Sequence, residues 1–203
     1  MAADVIETGG FDRLLLIDAH TASIEGFFNM PIDHLTAVPL LAQSAGRSLP
    51  DHAVVVAPDL GAVKRAREYA RLLDAPMAFV HKIRLSGETV EAHGVIGEVR
   101  GRMPLIVDDM LSTGGTIEAA VGALRTAGAL EPMMVAVTHA LLVGGARETL
   151  RRLPIARLIA GNTVPVDDEL DLHLEVTSIA SLIATAIRRH HCDESLADLR
   201  VRT

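Results

Sequence analysis

The segment 105–116, "LIVDDMLSTGGT", places two adjacent carboxylates, Asp108 and Asp109, just ahead of a turn built from hydroxyls and glycines. Leu105, Ile106 and Val107 form a short β-prone run, and residues 116–124 carry apolar side chains at helical spacing, which predicts strand, turn and helix. Gly114 and Gly115 permit backbone angles that turn successive N–H groups inward, and the start of a helix adds its positive end. Ser112, Thr113 and Thr116 bring hydroxyl donors to the same spot. Such a turn suits a phosphate. Asp108 and Asp109, at the strand's carboxyl end, would accept hydrogen bonds from sugar hydroxyls or hold a hydrated Mg²⁺. A phosphate pocket beside a diol-reading carboxylate pair describes a ribose 5-phosphate site, and an Asp-rich turn with a Thr cap is the plain alternative.

Three further clusters follow apolar runs. In "IDAHTASIEGFF", residues 17–28, Asp18 and His20 end a run, and a histidine there can ligate a metal through one ring nitrogen or simply find a hydrogen bond. In "VVVAPDLGAVKRA", residues 54–66, Asp59 sits where it would cap the next helix or join His20 on a Mg²⁺. Lys64 and Arg65 in that helix read as solvated charges. In "FVHKIRLSG", residues 79–87, Lys82 and Arg84 are two apart, so an extended backbone puts both on one face. Two cations there could clamp a transferring phosphoryl group, or merely keep a polar strand edge soluble. His81 points to the other face and receives no role.

These residues need a scaffold, and the apolar runs describe one. Strands are expected at 13–18, 53–58, 77–82, 104–108, 133–139, 155–160 and 172–176, and helices at 35–46, 61–73, 115–127, 144–152 and 178–190. Alternation of this kind predicts an α/β fold, a central mainly parallel sheet flanked by helices, with the clusters at strand ends of one sheet. His20, Asp59, Asp108 and Gly114 are expected to converge on one cleft. Residues 86–99 alternate weakly and carry three glycines, which reads as an exposed hairpin or loop, mobile over 85–97.

The length of 203 residues suits one domain over 1–203, and 49% hydrophobic content suits a well-buried core. A net charge of −7, with no basic stripe carrying interleaved aromatics, argues against nucleic acid as a partner. No apolar run reaches the ~20 residues that cross a bilayer, and no signal peptide is expected at the start. The single cysteine, Cys192, fits a reducing cytoplasm.

Taken in order, "DAHTASIEGFF", "PIDHLTAVPLLA", "VVVAPDLGAVKRA", "HKIR", "LIVDDMLSTGGT", "VTHALL" and "TSIASLIATAIRRHHCDESL" resemble the ribose-phosphate diphosphokinases, of type I phosphoribosyltransferase fold. The resemblance runs from about residue 4 to the end. It implies that His20 and Asp59 bind Mg²⁺ on the nucleotide side and that Lys82 and Arg84 stabilise the transferring diphosphoryl group. It implies that Asp108 and Asp109 read the ribose hydroxyls while Ser112, Thr113, Gly114, Gly115 and Thr116 cradle the 5-phosphate. The implied reaction is attack of the ribose 1-hydroxyl on the β-phosphorus of ATP, giving phosphoribosyl diphosphate and AMP, with positioning and charge neutralisation as the protein's part.

The chain departs from the family in three ways. It resembles only the second half of the family's protein, and the first half supplies part of the adenine pocket and much of the oligomer contact. Completion by a partner chain or by self-association into a homo-oligomer is therefore expected, with ribose 5-phosphate bound but ATP turned over poorly by this chain alone. Ser112 stands where the family has an aspartate, and Ala19 and Glu25 replace an apolar branched residue and a glutamine. Two other readings stay open. One is a phosphoribosyltransferase with phosphoribosyl diphosphate as donor, for which no base-reading hood is visible. The other is a non-catalytic regulatory relative that docks on a full-length synthase.

Overall fold

The computed structural model describes residues 2–84, 91–166 and 173–201, with the backbone alone at 82–84 and 91–93. The chain divides into two compact units, one of residues 1–37 with 179–203 and one of residues 38–178.

The larger unit is built on a seven-stranded sheet. Its strands are β3 (Ala53–Ala57), β4 (Met77–Arg84), β5 (Glu91–Ile96), β6 (Met103–Leu111), β7 (Met133–Ala140), β8 (Ile155–Gly161) and β9 (Leu174–Thr177). They lie in the order β5-β4-β3-β6-β7-β8-β9, every pairing parallel except β4 with β5. Ala53 to Ala57, AVVVA, is buried at every position, as a central parallel strand covered on both faces must be. The expected mainly parallel sheet flanked by helices is thus the observed fold.

The helices of this unit are α2 (Val38–Gly46), α3 (Val63–Leu73), α4 (Gly115–Thr126) and α5 (Ala146–Arg152). In α3 the buried Ala66 and Tyr69 turn one face inward, and Asp74 ends the helix in the left-handed region, its N–H on the Ala70 carbonyl. Ile117, Ala120, Val121 and Leu124 of α4 pack with Ile106, Val135 and Leu158 in the main core. Helices α2, α3 and α4 pack against strands of the sheet.

The smaller unit holds α1 (Ala2–Thr8), β1 (Leu14–Ile17), a 3₁₀ helix (Ala22–Phe27), β2 (Ile32–Leu35) and α6 (Ala180–His191). β1 and β2 pair parallel as a separate two-stranded sheet. This corrects the expectation of one sheet. It also corrects the helix expected from residue 35, because Leu35 closes β2 and α2 begins at Val38. Ile32 to Leu35 reads IDHL, and its Asp and His hide a strand from any count of apolar residues.

Asp33 is fully buried within that strand, yet its carboxylate meets Arg13 at 2.7 Å, His190 at 2.8 Å and Arg200. Burial pushes the Asp33 carboxyl up, but hydrogen bonds from Arg200, Arg13 and His190 outweigh it and hold the group below its ordinary value. The cluster ties β1, β2, α6 and the C-terminal segment together. Thr36 and Val201 add backbone bonds to Leu199 and His34, at 3.0 and 2.9 Å.

The expected mobile stretch 85–97 falls outside the described residues at 85–90, and its remainder contains β5. No helix among the described residues is long and apolar enough to cross a membrane.

Candidate functional site

Between β3 and β6 the chain changes direction across the sheet, running from β3 to β4 on one side and from β6 to β7 on the other. Such a switch point leaves a crevice outside the carboxyl ends of its strands, where open α/β sheets bind ligands. Val56 lies beside Ile106 and Ala57 beside Phe79, so the carboxyl ends of β4, β3 and β6 stand side by side. Asp59, two residues past β3, the Lys82 and Arg84 positions of β4, and the Asp108–Asp109 pair therefore share one end of one sheet.

β6 is longer than the expected 104–108. Met110 pairs with His139 and Leu111 with Ala140, so the aspartates lie inside the strand rather than at its end. The Asp109 side chain is 3% exposed and that of Asp108 14%. The Asp109 N–H donates to Oδ1 of Asp108 at 2.8 Å. Nη1 of Arg65 stands 3.5 Å from Oδ1 of Asp108 and 3.4 Å from Oδ1 of Asp109. Burial, then the hydrogen bond and charge of Asp109, push the Asp108 carboxyl up to about 7, while the Asp109 N–H and Arg65 pull the other way.

The turn after β6 is braced from behind. Leu141 and Leu142 donate their N–H groups to the Leu111 carbonyl at 2.9 and 3.1 Å, and Val143 donates to that of Ser112 at 3.1 Å. Gly114 takes φ 86°, ψ −7° at the start of α4, a conformation that suits glycine and strains other residues. The first N–H groups of α4 have no carbonyl one turn earlier and face the helix's open end. The hydroxyls of Thr113 and Thr116 are exposed and that of Ser112 half-buried around them. Amides at a helix start with hydroxyls beside them can receive a phosphate.

Asp59 is exposed and its Oδ1 accepts from the Ala62 N–H at 3.1 Å, so it does brace the start of α3. Lys82 lies opposite His93 and Arg84 opposite Glu91 in the β4–β5 pairing. Among the described residues no group of three or more His, Cys, Asp or Glu gathers as a metal cage.

The smaller unit places His20 after β1, exposed. The loop before it is set by Asp18, φ 42°, whose buried carboxylate accepts from the Ala37 N–H at 2.9 Å. His34 accepts from the Ala19 N–H at 2.9 Å through Nε2, leaving its Nδ1 to donate to Glu25 at 3.1 Å. Glu25 is one of the two departures in the "DAHTASIEGFF" motif, and its carboxylate is well suited to that histidine.

A model of the phosphoribosyl transferase domain matches residues 41–155, a span inside the larger unit. The chain belongs to the phosphoribosyl transferase domain family. It is 42% identical over 203 residues to a ribose-phosphate pyrophosphokinase of Streptomyces avermitilis, covering 98% of this chain and 62% of that protein. With the enzyme of the same name from Clostridium acetobutylicum it shares 40% over 196 residues, covering 95% and 61%. Among solved structures it resembles the phosphoribosylpyrophosphate synthetase of Mycobacterium smegmatis, with TM-score 0.83, 38% identity, and 94% of this chain against 62% of that one covered. The chain thus spans about three fifths of the length of these relatives.

Sequence reasoning missed one site residue. Arg65 reads as a solvated charge in the helix start, yet its side chain is only 16% exposed and lies against both aspartates. The signal for it is tertiary: α3 must pack on β3 and β6 before Arg65 can reach the ends of those strands.

Proposed function

We propose that the chain carries the ribose 5-phosphate side of a ribose-phosphate diphosphokinase, which transfers diphosphate from ATP to the 1-hydroxyl of ribose 5-phosphate and releases AMP. The observation that carries this reading is the adjacent pair of half-buried Asp108 and buried Asp109 on the strand that leads straight into the braced Gly114 turn. Two adjacent carboxylates can take the paired hydroxyls of a ribose, and the start of α4 can take its 5-phosphate. In this reading Ser112, Thr113, Gly115 and Thr116 complete the phosphate cradle, and Lys82 and Arg84 neutralise the charge that develops on the diphosphoryl group.

The oxygen donors suit Mg²⁺, which takes one or two carboxylates and keeps waters and phosphate oxygens for the rest, so it needs no closed protein cage. Asp59, exposed and with Oδ1 on a single backbone N–H, fits that demand and is proposed to hold the ion, and His20 is the other residue that the resemblance implies for it. When bound, Mg²⁺ would offset phosphate charge. The substrates, a homo-oligomer or partner chain, and a cytoplasmic location belong to the same proposal.

The test is AMP release from ATP, ribose 5-phosphate and Mg²⁺ by the purified chain, beside Lys82→Ala. Turnover that disappears in the variant supports the diphosphokinase reading. AMP release untouched by Lys82→Ala contradicts it. The match to the phosphoribosyl transferase domain favours one second reading, with phosphoribosyl diphosphate as donor to a base. Consumption of phosphoribosyl diphosphate only when a base is added would select it.

A further inference from the structure

We propose that Arg65 is a positioning residue, holding the Asp108 and Asp109 carboxylates in the one arrangement that reads the ribose hydroxyls. The inference rests on the ribose 5-phosphate reading of this site and adds to it a residue that acts through the aspartates rather than on the sugar.

Arg65 is the third residue of α3, followed at once by the buried Ala66 and, one turn on, by the fully buried Tyr69. The helix is therefore fixed on its inner face, and the root of the arginine does not wander. Its single Nη1 reaches one oxygen of each carboxylate, Oδ1 in both cases, at 3.5 and 3.4 Å. With both Oδ1 atoms facing this one donor, both Oδ2 atoms are turned away from it. A ribose diol asks for two acceptors at a set spacing, which is the quantity this contact controls.

Two carboxylates on consecutive residues, with side chains 14% and 3% exposed, have little water to screen their repulsion. The Asp109 N–H on Oδ1 of Asp108 restrains the pair at 2.8 Å but brings no full positive charge against that repulsion. A guanidinium stays charged throughout the accessible pH range, and here one of its nitrogens faces an oxygen of each carboxylate. Arg65 offsets that repulsion before any ligand arrives, so part of the alignment cost falls on folding rather than on binding.

The experiment is calorimetric titration of the full chain with ribose 5-phosphate and, separately, with inorganic phosphate. The variants are Arg65→Ala, Arg65→Lys and Arg65→Met, the last keeping an apolar stem to pack should the alanine variant fold poorly. Losing the charge-assisted contacts should weaken ribose 5-phosphate by about tenfold or more. Inorganic phosphate, which reports the Gly114 turn alone, should keep its affinity, and Arg65→Lys should recover part of the loss. In an Asp108→Asn background, Arg65→Ala should add little, because a residue that acts through the pair has less left to act on.

Equal weakening of ribose 5-phosphate and phosphate would show a generic cation and overturn the proposal, as would an unchanged ribose 5-phosphate affinity. An undiminished effect in the Asp108→Asn background would overturn it too. If the unaltered chain binds phosphate but gains nothing from the ribose, the site reading falls and takes this inference with it. Binding by the unaltered chain with no effect at Arg65 sinks the inference alone.

Discussion

The backbone N–H of Asp109 donates to Oδ1 of Asp108 at 2.8 Å and favours its charged form, but burial opposes that bond and wins. Burial and the charge of Asp109 raise the Asp108 carboxyl from its ordinary 3.8 to about 7. Between those two values the folded chain holds a proton that the unfolded chain has released. Stability from this group is therefore present at low pH and is lost as pH rises through about 7. Urea denaturation should show Asp108→Asn more stable than the unaltered chain at pH above about 7, by on the order of 2 kcal/mol, with the gap closing toward acid pH. A gap that stays constant with pH would contradict the raised carboxyl.

Gly114 holds φ 86°, and a Cβ added there would stand 3.4 Å from Cγ2 of Thr149. Gly114→Ala should cost about 1–2 kcal/mol of stability from backbone strain, read by thermal unfolding. It should also weaken inorganic phosphate, because the turn that aims the first amides of α4 has to shift. Retained phosphate affinity would place the phosphate elsewhere.

In the smaller unit the fully buried Asp33 carboxylate meets Arg13, His190 and Arg200. Its group sits below its ordinary value, so its stabilisation is present above that value and is lost as pH falls through the folded one. Asp33→Ala should destabilise by about 3 kcal/mol at neutral pH, since truncation strands cationic partners around a buried site. Denaturant titration checks this, and a loss below measurement error would show the cluster to be decorative.

Lys82→Ala should lower AMP release by roughly 10²-fold or more if the lysine meets charge that develops during transfer. Ribose 5-phosphate affinity should be unchanged, since the proposed diol and phosphate contacts lie on β6 and α4. A parallel fall in that affinity would make Lys82 a binding residue.

Much of this was legible in the sequence where one force dominated locally. AVVVA reads as a buried strand, and the periodic apolar residues of α3 and α4 read as helices, because burial sets those patterns residue by residue. β2 was invisible because IDHL buries an aspartate and a histidine whose partners come from Arg13, Glu25, His190 and Arg200, distant in sequence. The end of β6 was misjudged for a related reason. An Asp pair reads as the close of a strand, and only the pairing with His139 and Ala140 carries the strand to Leu111. Arg65 was missed because a helix start rich in basic residues looks solvated until the sheet it rests on is known.

The most direct test of the proposed ribose-phosphate site is a calorimetric titration of the chain with ribose 5-phosphate against one with inorganic phosphate. A diol-reading Asp108–Asp109 pair should give saturable binding of one ribose 5-phosphate per chain, tighter than phosphate by at least about tenfold, with the difference removed by Asp108→Asn. Ribose 5-phosphate binding no tighter than phosphate, or a preference that survives Asp108→Asn, would contradict it.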